Sequence, residues 1–278
     1  MNGRIFFLFF CLFALLPACE DDKRPTATGD SSGFVPAGYE LVWNDEFDTG
    51  TMPDEANWGY QTGGHGWTAK ELQNYQQADP DNVGIEDGHL RITALPERVG
   101  LNRFTSTRLV SKKKADFTSG YFEVRAKFPA GEGLRSAFWM VGDTVSKMGW
   151  PDAGEIDLVE HYGSFPTVVN AAVQTKVNFW MKKNQQGGST IVKGAEEDFH
   201  VYSCTWTEDK LEFAVDGQPY WEYLPVPGKG KASFPFRWPF YLVATLSVGG
   251  ERGPIGEVKP AVFPAHFLID YVRVYQLR

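Results

Sequence analysis

Short runs in which apolar and polar residues alternate dominate the chain from about residue 37 to its end. Clear examples are residues 89–94, 120–128, 210–215 and 267–275. Because successive side chains of a β-strand point to opposite faces, this two-residue period predicts strands with one buried face. Glycine, proline and aspartate separate the runs, and no long stretch has the 3.6-residue period of a helix. The pattern therefore predicts an all-β protein in one domain over residues 37–278, an antiparallel sandwich or barrel.

A tight turn is predicted inside this domain. Asp216-Gly217 follows one alternating run directly and precedes Gln-Pro-Tyr-Trp. This dipeptide favours the positive backbone angles of a two-residue hairpin, so we expect two antiparallel strands to meet there.

The first residues have a different pattern, that of an export signal. Arg4 precedes twelve consecutive apolar residues, 5–16. As a helix they would span roughly 18 Å, which is too short for the ~30 Å hydrocarbon layer and favours a signal peptide over a membrane span. Leu16-Pro-Ala-Cys19 resembles a bacterial lipobox. We therefore expect residues 1–18 to be a lipoprotein signal peptide and Cys19 to be lipidated; the alternative is an ordinary signal with an incidental cysteine.

The segment after Cys19 is polar. The acids of residues 20–22 resemble the export tag of surface lipoproteins in bacteria, so we expect an outer-membrane lipoprotein exposed at the cell surface. Residues 19–36 are rich in polar residues, glycine and proline, and this composition predicts a flexible tether. Only the lipid would connect the protein to the membrane.

Composition and charge narrow the class of protein. The 278 residues include 9 Trp, 11 Tyr and 21 Phe, which excludes disorder for most of the chain. Lys and Arg number 27 against 35 Asp and Glu, and an acidic chain without a basic block is a poor partner for nucleic acid. Without the signal peptide and with Cys19 acylated, Cys204 stands alone, so we expect no disulfide and a buried thiol.

Three acids lie within six residues of an apolar strand, at Glu155, Asp157 and Glu160. Glu155 and Asp157 share one face of the strand. Strict alternation would place Glu160 on the other face, in the core, where a charge is costly. One β-bulge at Leu158–Val159 returns Glu160 to the side of the other two acids. Burial cost therefore predicts a bulge in the middle of this strand.

Two glutamates on one face suit the chemistry of a retaining glycosidase. After the bulge the two glutamates are effectively four residues apart on a strand that rises ~3.3 Å per residue. Their side chains can lean inward until the carboxyl groups are ~5–5.5 Å apart, which is the separation that this chemistry requires. Crowding of three acids should raise at least one pKa, as a general acid needs. Trp139 and Trp150, near the acids in sequence, offer flat apolar platforms for sugar rings. The alternatives are a solvated strand face and a Ca²⁺ or Mg²⁺ site, for which an apolar strand is a poor host.

The whole domain resembles glycoside hydrolase family 16 in its laminarinase-like branch. Glu-Ile-Asp-Leu-Val-Glu, residues 155–160, is similar to the bulged Glu-x-Asp-x-x-Glu signature of the family. Further motifs match in the same order, at residues 41–47, 71–75, 82–90, 107–111, 133–140, 200–206, 241–250 and 270–275. The resemblance implies a concanavalin-like β-jelly roll of two curved antiparallel sheets with an open substrate cleft.

The resemblance also implies roles for individual residues. Glu155 would be the nucleophile, Asp157 its partner and Glu160 the acid/base. Trp139 and Trp150 would line the subsite next to the cleaved bond, and Arg108 would reach substrate hydroxyls. No cofactor is needed for catalysis. A structural calcium would be held on the convex side by three positions: Glu46, Gly88 and Asp270.

Other residues of the expected cleft bear on the substrate. We expect Glu71, in the motif of residues 71–75, and Trp67, in a glycine-rich loop, to contact it. Gln174 stands where laminarinases commonly have a histidine-containing run, and His161 follows the acid/base, where it would pack or tune Glu160. Residues 69–70 and 249–252 also depart from the common pattern, the latter with Gly-Gly-Glu-Arg252 where Gly-Gly-Asn is usual.

The sequence therefore predicts an O-glycosyl hydrolase, a retaining endo-β-glycosidase whose partner is a polysaccharide. β-1,3-Glucan or mixed-linkage β-glucan is the first expectation. Galactan or the poly-N-acetyllactosamine of mucin-type glycans is the alternative. A non-catalytic sugar-binding jelly roll, or an adhesin, would be expected to lack one of the two glutamates. We expect a monomer.

Overall fold

The computed structural model describes residues 32–67 and 69–278. The predicted signal peptide, Cys19 and most of the tether lie outside the described residues. In chain order the strands are β1 (Tyr39–Asp45), β2 (Gly59–Tyr60), β3 (Gln73–Tyr75), β4 (Val83–Glu86), β5 (His89–Ala94), β6 (Phe104–Ser106), β7 (Arg108–Val110), β8 (Asp116–Phe117), β9 (Gly120–Lys127), β10 (Leu134–Gly142), β11 (Glu155–Tyr162), β12 (Val168–Gln174), β13 (Gln186–Ile191), β14 (His200–Trp206), β15 (Leu211–Val215), β16 (Gln218–Tyr223), β17 (Phe240–Val248) and β18 (Ala265–Leu277).

Helices are few and short. The α-helix α1 spans Val145–Met148, and single 3₁₀ turns lie at Trp180–Lys182, Gly230–Ala232 and Pro260–Val262. In the part of the chain that the structure describes, no helix has the length and apolarity needed to cross a membrane.

Two antiparallel sheets of eight strands each make up the β-jelly roll. The first sheet has the order β16-β15-β14-β9-β18-β5-β4, and β1 also pairs with β18. The second has the order β13-β12-β11-β10-β17-β7-β2, and β8 also pairs with β17. A separate pair, β3 and β6, is parallel. The all-β prediction is confirmed.

The core fills the space between the two sheets. Every second residue of the central strands points into it, for example Phe138 and Met140 of β10 and Val124 of β9, all at most 1% exposed. Each such side chain contributes about 1.5–3 kcal/mol by leaving water. The intervening residues of β10 and β17, Trp139 and Tyr241 among them, form a smaller apolar cluster on the outer face of the second sheet. That outer face is the one that carries the site.

The local predictions made for this domain hold. Asp216 and Gly217 form the two-residue turn between β15 and β16 with φ of 48° and 73°. Cys204 is free and fully buried in β14, and burial raises the pKa of its thiol. Its thiolate is therefore disfavoured, as expected for an inert core cysteine.

Candidate active site

A β-bulge in β11 places the three acids on one face of the second sheet. In the pairing with β10, Phe138 faces Val159 and Trp139 faces Asp157, so Leu158 has no partner. The pairing with β12 shifts at the same place, between Asp157 and Glu160. Leu158 and Val159 consequently both enter the core between the sheets. The predicted bulge is confirmed, and its cause is the one expected: two consecutive apolar residues enter the core between the sheets, and Glu160 returns to the face that carries Glu155 and Asp157.

The entry into β11 is fixed by a glycine. Gly154 has φ of 81°, and a Cβ there would lie 2.7 Å from Pro235 and 3.0 Å from the Phe240 ring. Only glycine therefore fits this corner without strain. Since Glu155 is the next residue, the corner sets where its carboxylate enters the site.

The carboxylate of Glu155 receives a donor on each oxygen. The indole Nε1 of Trp150 donates to Oε2 at 2.9 Å, and Nη1 of Arg252 donates to Oε1 at 3.1 Å. Donors of this kind stabilise an ionised carboxylate, which is the form that acts as a nucleophile.

Glu160 is held differently. Nη1 of Arg135 donates to its Oε1 at 3.1 Å, and Nη2 of Arg252 lies 3.3 Å from the same oxygen. Burial, and then the charge of Asp157, raise the pKa of Glu160, although the two arginines oppose the rise. A raised pKa keeps the proton on a carboxyl group, as a general acid requires.

Asp157 lies between the two glutamates and is fully enclosed. The amide Nε2 of Gln174 donates to its Oδ2 at 3.0 Å, and Nη2 of Arg252 contacts the same oxygen at 2.7 Å. Burial raises the pKa of Asp157 to about 7, with a further contribution from Glu155 and opposition from Arg252. Asp157 is therefore protonated for part of the time near neutral pH.

A cavity of about 200 Å³ opens beside Glu155. Trp67, Trp139 and Trp150 line it, as the sequence predicts for sugar platforms. Arg108 also lines it: its guanidinium lies 4.5 Å from the ring centres of both Trp67 and Trp139, and its Nε donates to Gln61 at 2.7 Å. Burial lowers the pKa of Arg108.

Glu71 reaches the same cavity from the segment before β3. Its Oε2 accepts a hydrogen bond from Gln73 at 2.7 Å, and its Oε1 lies 3.6 Å from Arg135. The structure thus brings five of the residues expected to contact the substrate to the wall of one cavity: Trp67, Glu71, Arg108, Trp139 and Trp150.

His161 and Gln174 do not contact this cavity. After the bulge His161 points into the core, where its ring stacks 4.8 Å from that of Phe128 and its Nε2 lies 3.5 Å from the carboxylate of Glu196. Its placement at the substrate was wrong, because the residue after Glu160 returns to the core face. Gln174 is buried and holds Asp157, so it orients an acid and does not face the sugar.

Sequence reasoning missed the two arginines that hold the acids. Arg135 comes from β10, and Arg252 comes from the loop after β17; both are nine-tenths buried. Arg252 was noticed as a departure from the common pattern without a role. An arginine at an otherwise apolar strand position, as Arg135 is, was the remaining signal.

The three positions expected to hold calcium do lie near one another across β18. Val272 of β18 pairs with Asp45, next to Glu46, and Ile269 pairs with Leu90, near Gly88. Their carboxylates are engaged elsewhere, however.

Glu46 accepts two hydrogen bonds from Arg273, at 2.9 and 2.8 Å, and Asp270 accepts one from Arg125 at 2.7 Å. Two guanidinium groups already neutralise these acids, so the residues as arranged do not fit a calcium ion. Among the described residues no group of three or more His, Cys, Asp or Glu side chains is placed to hold a metal.

Fold and site together define a class of protein: a carbohydrate-cleaving hydrolase of β-sandwich architecture that carries a pair of glutamates on one face of a sheet. Its family is glycosyl hydrolases family 16, to which the chain belongs and whose sequence profile matches residues 70–271. The protein is accordingly an O-glycosyl hydrolase, as predicted.

Relatives and a solved structure agree with this assignment. The chain is 42% identical to a beta-glucanase of Rhodothermus marinus, over 86% of this chain and 85% of that one. It is 30% identical to a keratan-sulfate endo-1,4-beta-galactosidase of Sphingobacterium multivorum, over 94% of this chain and 61% of that one. The X-ray structure of the laminarinase from Rhodothermus marinus superposes with a TM-score of 0.83 at 42% identity, covering 86% of this chain and 98% of that chain.

Proposed function

We propose that the protein is a retaining endo-β-glucanase that cleaves internal linkages of β-1,3-glucan or mixed-linkage β-glucan. The observation that carries the proposal is the bulged strand β11, which turns Glu155 and Glu160 to the same face, with a cavity lined by indoles beside Glu155. The similarity to a beta-glucanase and to a laminarinase of Rhodothermus marinus supports β-1,3-glucan as the substrate.

In the proposed mechanism, the ionised carboxylate of Glu155 attacks the anomeric carbon while Glu160 gives its proton to the departing glycosidic oxygen. A covalent glycosyl-enzyme forms, and Glu160, now ionised, takes a proton from water, which displaces Glu155 with a second inversion. Both contacts of Glu160 fall on Oε1, so Oε2 is the oxygen that carries the proton. Asp157, protonated for much of the time near neutral pH, keeps a third charge from accumulating beside the nucleophile.

The indoles and Arg108 would bind the sugar without taking part in bond cleavage. Trp139 and Trp150 offer ring faces against which the apolar face of a pyranose packs. The guanidinium of Arg108, fixed between Trp67 and Trp139, offers donors for hydroxyl groups.

The alternative substrate is a β-galactan or poly-N-acetyllactosamine. The 30% identity to a keratan-sulfate endo-1,4-beta-galactosidase favours it, together with the departures from the laminarinase pattern at Gln174 and Arg252. Arg252 lines the cavity within hydrogen-bond distance of Glu155 and Asp157, where it would affect which sugar fits next to the cleaved bond, whereas Gln174 would act only through Asp157, which it holds.

We further propose that Cys19 carries a lipid which anchors the mature protein to the outer membrane, at the cell surface. The apolar run of residues 5–16 and the sequence Leu16-Pro-Ala-Cys19 support this. Incorporation of labelled palmitate, lost in Cys19→Ala, would test the anchor. Protease accessibility on whole cells would test the outward orientation.

Incubation with laminarin, barley β-glucan, agarose and poly-N-acetyllactosamine, followed by chromatography of the products, tests the function. We expect internal cleavage of laminarin and a first-formed β-anomer in proton NMR spectra. A first-formed α-anomer would contradict the retaining mechanism, and products from agarose or poly-N-acetyllactosamine alone would favour the alternative. Absence of products from all four glycans would contradict the proposed function.

A further inference from the structure

The side chain of Arg252 lies between the nucleophile and the acid/base. Its Nη1 is 3.1 Å from Glu155, and its Nη2 is 2.7 Å from Asp157 and 3.3 Å from Glu160. Arg252 is 7% exposed, and its Nε is buried without a hydrogen-bond partner. One guanidinium thus bridges the two carboxylates that must act on the same bond.

Arg252 also separates two cavities. Glu155 and Arg252 line the cavity of about 200 Å³, whereas Glu160 lines a second one of about 250 Å³ together with Gly253 and Pro254 of the Arg252 loop. A substrate whose bond is attacked by Glu155 and protonated by Glu160 has to pass from one cavity into the other. The guanidinium lies on that path.

The charge of Arg252 is also wrong for the reaction. The transition state of glycoside cleavage resembles an oxocarbenium ion, with positive charge at the anomeric carbon. A cation in contact with the nucleophile repels that charge, and its hydrogen bond to Oε1 of Glu155 draws electron density from the attacking carboxylate. Geometry and charge therefore both favour a position of Arg252 away from the acids when the bond breaks.

The loop that carries Arg252 is built to allow this. Gly249, Gly250, Gly253 and Gly256 all have φ between 63° and 106°. The N–H of Glu251 donates to Ala69, and the carbonyl of Ile255 accepts from Gly133. Between these two points, residues 252–254 make no backbone-to-backbone hydrogen bond within the described chain.

We propose that Arg252 is a gate displaced by the substrate: it binds Glu155 and Glu160 in the free enzyme and leaves the cleft when a sugar enters. This inference rests on the proposed function. In the free enzyme the gate neutralises the buried acids and closes the cleft. In the complex the substrate takes its place.

Displacement of Arg252 should change the pKa of the acids that it contacts. A nearby cation lowers the pKa of a carboxyl group, so the pKa rises when the cation leaves. Other titratable and charged groups face the three acids as well: Glu71, Arg108, Arg135, Tyr162, Tyr220 and Tyr241. Because Arg252 alone moves in this proposal, the predicted difference in pKa between the free enzyme and the complex is the contribution of Arg252.

Arg252→Gln tests the gate through two pH profiles. The profile of kcat/KM reports the free enzyme and that of kcat reports the complex. We expect Arg252→Gln to move the kcat/KM profile to higher pH by about one unit and to leave the kcat profile in place. KM at the optimum should fall roughly tenfold, as expected when a binding-competent state becomes dominant.

Glu251→Gln is the matched control. Glu251 is in the same loop, is exposed and pairs with Lys70, away from the acids. We expect its two profiles and its KM to equal those of the wild type. If Arg252→Gln does not fold, Arg252→Lys keeps a cation but not the fork that holds two carboxylates, and the same shift in the kcat/KM profile alone is expected, at smaller size.

Three results would overturn the gate. Equal shifts of both profiles would mean that Arg252 stays beside the acids in the complex. No shift in either would mean that it does not control their ionisation, and a raised KM would mean that it binds the substrate. A wild-type enzyme inactive on every glycan would contradict the proposed function and the gate together, whereas any of the three in an active enzyme contradicts the gate alone.

Discussion

Two glutamates of the same strand differ in what surrounds each oxygen. Glu155 has a donor on Oε1 and another on Oε2, whereas both contacts of Glu160 fall on Oε1. The first arrangement stabilises an anion, and the second leaves an oxygen for a proton. Local chemistry therefore supports the same division of roles that the resemblance implies.

Substitution of either glutamate by glutamine separates these roles. Glu155→Gln should lower kcat on laminarin by at least about 10³-fold, because no covalent intermediate forms. Glu160→Gln should lower it by about 10²–10⁴-fold and regain part of the rate with aryl glycosides, whose leaving groups need no proton.

The measurement is initial rate on both substrates, with oligosaccharide binding followed by calorimetry. The exposed Glu222→Gln, on β16, serves as the control and should behave as wild type. Near-normal turnover by Glu155→Gln would contradict the assignment of the nucleophile.

His161 contributes to stability through its buried, neutral ring. Burial lowers the pKa of His161 to about 4 from its usual 6.5. Between these values the unfolded chain binds a proton that the folded chain does not, so the fold loses stability as pH falls from 6.5 towards 4.

His161→Phe should remove this dependence and keep the stacking on Phe128. At pH 5 the wild type has lost about 2 kcal/mol relative to neutral pH through this group, and the variant should not. Urea unfolding at pH 5 and pH 7.5 gives the comparison. An unchanged difference between the two pH values would show that His161 is not the group responsible.

At the scale of elements, the corner before β11 controls the site. Gly154 and Gly149 have nearly the same φ, 81° and 77°, but a Cβ at Gly149 would meet no atom within 4 Å. A comparison of alanine substitutions at these two glycines therefore distinguishes the cost of backbone strain from the cost of crowding.

Gly149→Ala should cost about 2 kcal/mol, because its φ of 77° and ψ of 167° lie in a region that is essentially restricted to glycine. Gly154→Ala should cost about 3 kcal/mol and also lower kcat, because the displaced corner moves Glu155. Chemical unfolding and kinetics on laminarin would measure both. Equal effects of the two substitutions would contradict the role given to crowding at the corner.

Alternation and burial cost were enough to predict the strands, the hairpin at Asp216-Gly217 and the bulge of β11, because each depends on residues close in sequence. The partners of the acids depend on register between distant strands. Arg252 lies 97 residues from Glu155 along the chain. The alternation of apolar and polar residues within one strand carries no information about such a distant contact. Of the two alternatives for His161, the packed ring is the one found, because the bulge that turns Glu160 to the outer face returns the next residue to the core.

At the scale of the whole molecule, two guanidinium–carboxylate pairs connect β18 to its neighbours where calcium was expected. Arg273 joins Glu46 and lies 3.9 Å from Glu123, which is fully buried. Removing one partner of such a pair leaves a buried charge uncompensated.

Arg273→Gln should therefore lower the free energy of unfolding by about 3 kcal/mol, whereas EDTA or added calcium should leave the Tm of the wild type unchanged. Differential scanning calorimetry with and without 1 mM EDTA, ~1 mM being ample for any tight site, is the measurement. A drop in Tm on chelation would show that a metal stabilises the fold despite the arginines.

The bulge in β11 makes the placement of the acids depend on the register of this strand. A slip of β11 by one residue would drive Glu155 and Asp157 into the apolar interior and expel Ile156. A molecule with β11 in the wrong register is therefore unstable. As a result, the same register is needed for folding and for the correct placement of the acids. Titration with a covalent active-site reagent should count every folded molecule as competent.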